Sequence, residues 1–302
     1  MKFIWSVTEE KTLLRTFLKE QGMSKKLLAK VKFHGGQLLV NGEEQTVRQF
    51  VMAGDEITVI IPDEGEHETL IPYPSDIDIV FEDEHLLVVN KPSGVASIPS
   101  QYHKEDTMAH RVKYYYNEQG YTNRVIHVVT RLDRDTTGLM LFAKHGFSHA
   151  MLDRQLRSKE LKKFYVALVS GDIPSLPRED VIKLPIGRDM TSLVKRQVIE
   201  TGQMGITEYA IKDSHHDIAS VGIQLHTGRT HQIRVHFSAI GYPLLGDSMY
   251  GGEMTRGIER QALHCERLEL RHPFTNEPLE LRQEIPSDMK RLVRPIDEGE
   301  SY

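Results

Sequence analysis

The sequence predicts an α+β protein in which a small basic unit of two helices and a hairpin precedes a larger domain built on a mixed, mainly antiparallel sheet. Apolar residues recur at helical spacing within the first 33 residues and give way to short strands after Gly35 and Gly36. Beyond residue 76, short runs rich in β-branched and aromatic residues alternate with helical patterns. A chain of 302 residues has room for about two domains, at roughly 150 residues each.

The first unit is expected to cover residues 1–62. Gly22 is placed to stop a first helix, and Ser24 is placed to cap a second one. Asn41-Gly42 is a typical hairpin turn. The predicted elements are helices over Thr12–Glu20 and Lys25–Phe33 and strands over Gln37–Val40 and Ile57–Ile61.

Basic residues are concentrated in this unit, although the chain as a whole carries a net charge of −5. Between residues 11 and 34, seven lysines and arginines accompany one acid, Glu20. A basic face of this kind suits a phosphate backbone, and Lys25, Lys26 and Lys30 are the candidate binding residues. The alternative is an ordinary solvated helix face.

Residues 63–75 are expected to form a linker. The prolines in and beside this segment remove backbone donors, and its acids repel one another. The two domains are therefore expected to move relative to each other.

The larger domain is expected to cover residues 76–290, with an acidic tail over residues 291–302. Its predicted strands are Ile77–Phe81, Leu86–Val89, Leu139–Ala143, Lys162–Gly171, Glu208–Ile211 and Ser220–Leu225. Three helices are predicted in this domain. The first starts at Asp106 or Thr107 and stops at Gly120, and the second starts at Ser148. The third carries Ile233, Phe237 and Ile240 and ends at Gly241.

The stretch Thr130–Lys144 places a carboxylate, Asp133, at the mouth of a buried strand. Side chains at such a position are held by a rigid scaffold and still reach a cleft, which is a typical position for catalytic residues. The simpler interpretation is that Asp133, Asp135 and Thr136 only build a turn.

A second candidate stretch runs from Leu225 to His236, where a strand ends, Gly228 turns the chain and a helix begins. Arg229 and His231 belong to a basic rim suited to phosphate or carboxylate. The three histidines lie five residues apart, which does not match the spacing of zinc ligands, so no metal is expected here.

Four motifs stand out along the larger domain. They are Asn90-Lys91-Pro92-Ser93-Gly94, Arg131-Leu132-Asp133 with Thr136-Thr137-Gly138, Lys163 to Tyr165 with Ala167, and Thr227 to His236. Their order and spacing resemble those of RNA pseudouridine synthases of the RluA/RluD-like branch, which modifies large-subunit ribosomal RNA. One departure is Thr130, where that family usually has His.

The first unit resembles the small RNA-binding domain first described in ribosomal protein S-four. The matching features are Leu13 to Leu18, Ser24-Lys25-Lys26, Gly36 to Gly42 and Ala53 to Ile57. This resemblance implies that lysines of the helical pair contact phosphates of structured RNA.

The family resemblance implies an isomerase that needs no metal and no cofactor. By this resemblance, Asp133 is the reactive carboxylate, and Arg234 is the arginine partner that keeps it charged. By the same resemblance, Tyr165 packs on the base and relays a proton. The resemblance also implies that Arg131 enters the stack vacated by a flipped base, unless this residue forms a structural ion pair with Asp135 or another acid. The implied substrate is ribosomal RNA, with transfer RNA as the second choice.

Two other functions stay open at this point. A non-catalytic RNA-binding or ribosome-assembly factor would use only the N-terminal unit, and would not need Asp133, Tyr165 and Arg234 together. A hydrolase of a glycosidic bond would need paired carboxylates, for which Asp133 and Asp135 are the candidates.

The single cysteine, Cys265, and the lack of an apolar run of roughly 20 residues predict a cytoplasmic protein without a membrane segment. A monomer is expected, because the sequence shows no heptad and no spare amphipathic helix.

Overall fold

The computed structural model describes residues 1–293. The first unit consists of β1 (Lys2–Ser6), β2 (Thr12–Leu13), α1 (Leu14–Glu20), α2 (Lys25–Phe33), β3 (Gln37–Val40), β4 (Glu43–Glu44), β5 (Phe50–Val51) and β6 (Glu56–Ile60). Four strands form an antiparallel sheet in the order β1-β6-β3-β4, and β2 pairs with β5.

The two predicted helices of this unit and the turns that bound them are confirmed. The Ser24 hydroxyl accepts a hydrogen bond from the Leu27 amide and so caps α2. Asn41 and Gly42 both have positive φ, as a tight hairpin between β3 and β4 requires. The strand β1 was not predicted from the sequence, because this five-residue edge strand leaves Ile4 exposed and its apolar residues alternate only weakly.

The linker has no helix, but its acids bind the rest of the molecule instead of simply repelling one another. Glu64 accepts from the amide of Gly146 and contacts Lys30 and His127. Glu66 pairs with Lys113. Burial among cations and amide groups therefore outweighs the repulsion between acids.

The two units share a hydrophobic core, which differs from the expected free movement. Phe147 and Met151 of the larger unit, with Phe274, join the cluster that contains Phe3. Arg154 also donates to the carbonyl of Gly22. Apolar contacts across the boundary thus fix how the two units sit together.

The larger unit contains four helices and eleven strands within the described residues. They are β7 (Asp78–Glu82), β8 (Leu86–Lys91), α3 (Met108–Glu118), β9 (His127–Val128), β10 (Thr137–Ala143), α4 (Gly146–Ser158), β11 (Lys162–Ser170), β12 (Glu179–Arg188), β13 (Arg196–Val198), β14 (Gln203–His215), β15 (Ile218–Leu225), α5 (Gln232–Ala239), β16 (Leu263–Arg271), β17 (Pro278–Arg282) and α6 (Ser287–Val293).

These strands form one eleven-stranded sheet in the order β13-β12-β14-β15-β11-β16-β10-β8-β7, with β17 on β16 and β9 on β10. The pairs are antiparallel except for β10 with β16, so the sheet is mixed as predicted. All residues of β10 are buried. At Gly138 the backbone of β10 approaches that of Cys265 so closely that an added Cβ would lie 2.3 Å from the Cys265 carbonyl oxygen.

Several elements differ from the sequence prediction. The helix expected from Ser148 begins at Gly146, because His145 caps it by accepting from the Ser148 amide. The strands β12, β13, β16 and β17 were not predicted, since charged residues and Pro185 interrupt their apolar pattern. The helix α6 includes residues 291–293 of the expected tail, whose acids at positions 297, 298 and 300 lie outside the described residues.

None of the helices in residues 1–293 is long and apolar enough to cross a membrane.

Candidate active site

Asp133 lies in a tight turn immediately before β10. Its carbonyl accepts from the amide of Thr136, and the Ser97 hydroxyl holds the preceding residue by donating to the Leu132 carbonyl and accepting from its amide. The Asp133 side chain keeps about a quarter of its surface exposed (26%). The turn therefore fixes the backbone while the carboxylate stays accessible, as expected from the sequence.

Lys91 connects the Asn90 to Gly94 motif to this turn. Its side chain is fully buried, and Nζ donates to the carbonyls of Pro92, Val95 and Arg134 at 2.6–2.8 Å. Burial lowers the pKa of Lys91 to about 7, against the opposing charges of Asp135 and Asp133. The motif that contains Lys91 did not predict this role for its side chain.

Arg234, on α5, joins Asp133 to a second carboxylate. Its Nη1 donates to Asp133 Oδ2 at 3.3 Å, while Nε and Nη2 donate to the two oxygens of Asp247 at 2.7 and 2.8 Å. Burial alone would lower the pKa of Arg234, but hydrogen bonds to Asp247 and the charge of Asp133 raise it. The predicted pair of Asp133 and Arg234 is thus in contact across 101 residues of sequence.

Tyr250 and His231 complete the surroundings of this pair. His231 Nδ1 lies 2.9 Å from the Tyr250 hydroxyl, and its Nε2 lies 4.0 Å from Asp133. The Arg234 guanidinium sits 4.9 Å from the centre of the Tyr250 ring. Burial lowers the pKa of His231, which favours the neutral imidazole.

Asp247 and Tyr250 were not predicted from the sequence as parts of the site. Asp247 immediately precedes a short 3₁₀ turn, Ser248–Tyr250, and Tyr250 is its last residue. Two glycines of positive φ, Gly246 and Gly251, enclose this segment. An acid and an aromatic residue enclosed by such glycines was the signal available in the sequence.

Tyr165 is buried in β11, opposite Cys265 of β16. Burial raises the pKa of its hydroxyl, and Cys265 and the charge of Asp133 raise it further. The structure therefore brings Tyr165 to the same region as Asp133 and Arg234.

The other predicted residues lie farther out. Arg131 is exposed, and the Asp135 carboxylate pairs with Arg134 rather than with Arg131. Arg229 is exposed and donates to the Met204 carbonyl. In the N-terminal unit, Lys25 and Lys26 are exposed, whereas Lys30 pairs with Glu64.

Thr130 is buried, and its hydroxyl accepts from the Leu141 amide at 2.9 Å. This bond ties the chain before the turn to β10, so Thr130 supports the turn that carries Asp133.

Within residues 1–293, no group of three or more His, Cys, Asp or Glu side chains could hold a metal ion. Asp135, the carboxylate considered as the second group of a glycosidic hydrolase, pairs with Arg134 at 3.0 Å.

Comparison with known proteins agrees with this geometry. Residues 85–239 match the model of the RNA pseudouridylate synthase family, and this span covers Asp133, Tyr165 and Arg234. The chain belongs to this family. The match includes about half of the chain, and the enzyme is therefore an isomerase that converts uridine to pseudouridine in RNA.

Relatives of this pseudouridine synthase extend over most of its length. An uncharacterised RNA pseudouridine synthase of Bacillus subtilis, YjbO, is 42% identical over 281 residues, which are 93% of this chain and 98% of the relative. Ribosomal large subunit pseudouridine synthase D of Pseudomonas aeruginosa is 35% identical over 271 residues, which are 85% of this chain and 83% of the relative.

A solved structure shares the architecture. Human RNA pseudouridylate synthase domain containing 1 superposes with a TM-score of 0.55 at 25% identity, covering 70% of this chain and 86% of the human chain.

Proposed function

We propose that this pseudouridine synthase uses Asp133 as its nucleophile and Arg234 as the partner that positions and neutralises it. The observation that carries the proposal is the contact of Arg234 Nη1 with Asp133 while its other two nitrogens hold Asp247. A guanidinium fixed on one side can orient a reactive carboxylate on the other. The accessible surface left on Asp133 gives the substrate a place to approach.

The reaction breaks the bond from C1′ of the sugar to N1 of uracil and forms a bond from C1′ to C5. Asp133 attacks C1′ as the bond to N1 breaks, and the bonding pair stays on uracil while the detached base turns within the pocket. C5 then attacks C1′ and displaces the Asp133 carboxylate. A proton then leaves C5 and one is gained at N1, so the product is an isomer of the substrate.

Tyr165 packs on the detached base and relays the C5 proton. Burial raises the pKa of its hydroxyl, so the phenol is protonated at neutral pH. A neutral phenol can accept one proton on its oxygen while it donates its own, which is the relay that this step needs.

The target uridine is stacked in RNA and must first be flipped out, at a cost of a few kcal/mol. Arg131 is two residues from Asp133 and exposed, so its guanidinium can enter the vacated stack. Arg229 and His231 lie on the loop that precedes α5. His231 lies beside Asp133, Arg229 is exposed, and both supply contacts to the RNA.

The substrate we propose is large-subunit ribosomal RNA, with residues 1–62 as an S-four-like RNA-binding domain, 63–75 as the linker and 76–290 as the catalytic domain. Several relatives are named ribosomal large subunit pseudouridine synthase D. The exposed Lys25 and Lys26 on α2 suit contacts with phosphates. That the enzyme acts as a cytoplasmic monomer remains a prediction, which gel filtration and fractionation of cells would check.

The test is tritium release from ribosomal RNA transcribed with uridine labelled at C5, with free uracil assayed in parallel. Asp133→Asn should abolish release and leave RNA affinity unchanged, because the amide cannot act as the nucleophile. Asp135→Asn is the matched control on the same turn, and it should remain active because its carboxylate hydrogen-bonds Arg134 and not Arg234.

Each contrary result has a defined meaning. Turnover by Asp133→Asn would refute its role, and free uracil would indicate a hydrolase. Release from transfer RNA only would refute the ribosomal substrate. Binding without release from either RNA would favour the non-catalytic factor.

A further inference from the structure

Lys163 shares a face of β11 with Tyr165. Side chains alternate along a strand, so Lys163 and Tyr165 point to one side and Lys162 to the other. Both Lys163 and Tyr165 interact with Cys265 of the neighbouring strand. An added Cβ on Gly228 would lie 3.5 Å from Lys163 Nζ. The ammonium group therefore lies beneath the loop that leads to Arg234.

This cation lacks an anionic partner within the described part of the chain. Lys162 pairs with Glu269, whereas Lys163 forms no ion pair in residues 1–293. Its neighbour Cys265 offers no charge at neutral pH, because burial raises the pKa of the thiol to about 12. Burial also lowers the pKa of Lys163. A desolvated cation without an anion is unfavourable, which indicates that the anion comes with the substrate.

The proposed reaction supplies such an anion. When the bond from C1′ to N1 breaks, the bonding pair stays on uracil, and its negative charge is shared by N1, O2 and O4. A fixed cation is most effective where charge develops only during the reaction. Tyr165, the side chain proposed to pack on the base, is the neighbour of Lys163 on this face.

We propose that Lys163 is a further catalytic residue, whose ammonium group donates to a carbonyl oxygen of the flipped uracil and stabilises the departing uracil anion. The inference rests on the proposed function. Lys163 keeps its proton throughout: the pair on the base returns to C1′ when the C5 bond forms, the C5 proton leaves, and N1 is protonated.

The experiment compares Lys163→Gln and Lys163→Arg with the matched control Lys162→Gln. It measures single-turnover rates of pseudouridine formation at saturating RNA, and RNA Kd at several salt concentrations. Lys163→Gln should slow the rate roughly 10²–10³-fold, the usual effect of removing one donor to a developing anion. Its Kd should stay unchanged, Lys163→Arg should recover part of the rate, and Lys162→Gln should match wild type.

Rates across the alkaline range give a second readout. The wild-type rate should fall as Lys163 loses its proton, and Lys163→Arg should hold its lower rate to higher pH, because arginine stays charged. If Lys163 had a purely structural role, Lys163→Arg would not shift the alkaline fall of the rate to higher pH. Thermal unfolding of Lys163→Gln, and of Lys163→Met as a second variant that keeps the apolar stem, checks that the fold is intact.

Two outcomes would overturn the inference. One is that Lys163→Gln binds RNA more weakly, with a slope of log Kd against log salt concentration reduced by about 1, and keeps the wild-type single-turnover rate. Lys163 would then be a phosphate ligand. The other is a wild-type rate in Lys163→Gln. Either result would leave the proposed function standing, whereas an inactive wild-type enzyme would refute the proposed function itself.

Discussion

At the scale of single residues, the site depends on one guanidinium shared by two carboxylates. Arg234 gives two nitrogens to the buried Asp247 and one to the accessible Asp133. Sequence motifs could predict Asp133 and Arg234 as partners. They could not predict Asp247, because its contact with Arg234 depends on how the 3₁₀ turn at Ser248–Tyr250 meets α5.

Replacing Arg234 with lysine tests this sharing. A lysine ammonium cannot hold both oxygens of Asp247 and also reach Asp133, so Arg234→Lys should lower the single-turnover rate by about 10²-fold or more. RNA affinity should change little, because Arg234 is buried. Arg157→Lys is the matched control, since Arg157 is exposed on α4 and its guanidinium pairs with Asp153. A wild-type rate in Arg234→Lys would show that charge alone suffices.

At the scale of elements, the sequence predicted best where one local signal decides the structure. The cap at Ser24, the glycine at position 120 after α3 and the apolar run of β10 each determine an element by themselves. The edge strand β1 and the charged strand β16 were missed, because pairing with distant strands stabilises them. Within the site, the same limit applies to Asp247 and Tyr250.

The close contact between β10 and β16 leads to a prediction about stability. Gly138 has φ of +107°, and an added Cβ would lie 2.3 Å from the Cys265 carbonyl oxygen. Gly138→Ala must therefore push the two parallel strands apart, and should lower the free energy of unfolding by roughly 3 kcal/mol or more. Activity should fall as well, because Asp133 lies just before β10.

The control for this variant separates backbone strain from the clash. Gly94 has a positive φ of +81°, but an added Cβ there would meet nothing within 4 Å. Gly94→Ala should therefore cost only about 1 kcal/mol. Urea unfolding of both variants measures the two losses of unfolding free energy. Equal losses would show that separating the strands at Gly138 costs little free energy.

At the scale of the whole molecule, histidines and one acid cluster where the N-terminal unit meets the larger one. His145 lies 3.0 Å from His85, and both rings contact Phe3. Glu64 of the linker bonds His127 and the first amide of α4. The linker that the sequence predicted as mobile therefore forms part of this boundary, since its acid finds partners from three parts of the fold.

This cluster should make the molecule sensitive to acid. Burial lowers the pKa of His145 to about 3, so between pH 6.5 and about 3 the unfolded chain binds a proton that the folded one does not. Burial would raise the pKa of Glu64, but His127 and Lys30 lower it to about 2. The stability from Glu64 is therefore complete above pH 4.5 and is lost as pH falls toward 2. Both groups act in the same direction, so the free energy of unfolding should fall steadily from pH 7 to 3.

Glu64→Gln isolates one of the two contributions. The variant should be less stable than wild type at pH 7, by on the order of 1–2 kcal/mol after allowance for solvent screening. The difference should shrink below pH 4, where wild type loses the same charge. Glu43→Gln, on the exposed strand β4, should follow the wild-type curve. Urea unfolding at each pH measures these curves, and a constant difference between Glu64→Gln and wild type would show that the charge of Glu64 does not hold the two units together.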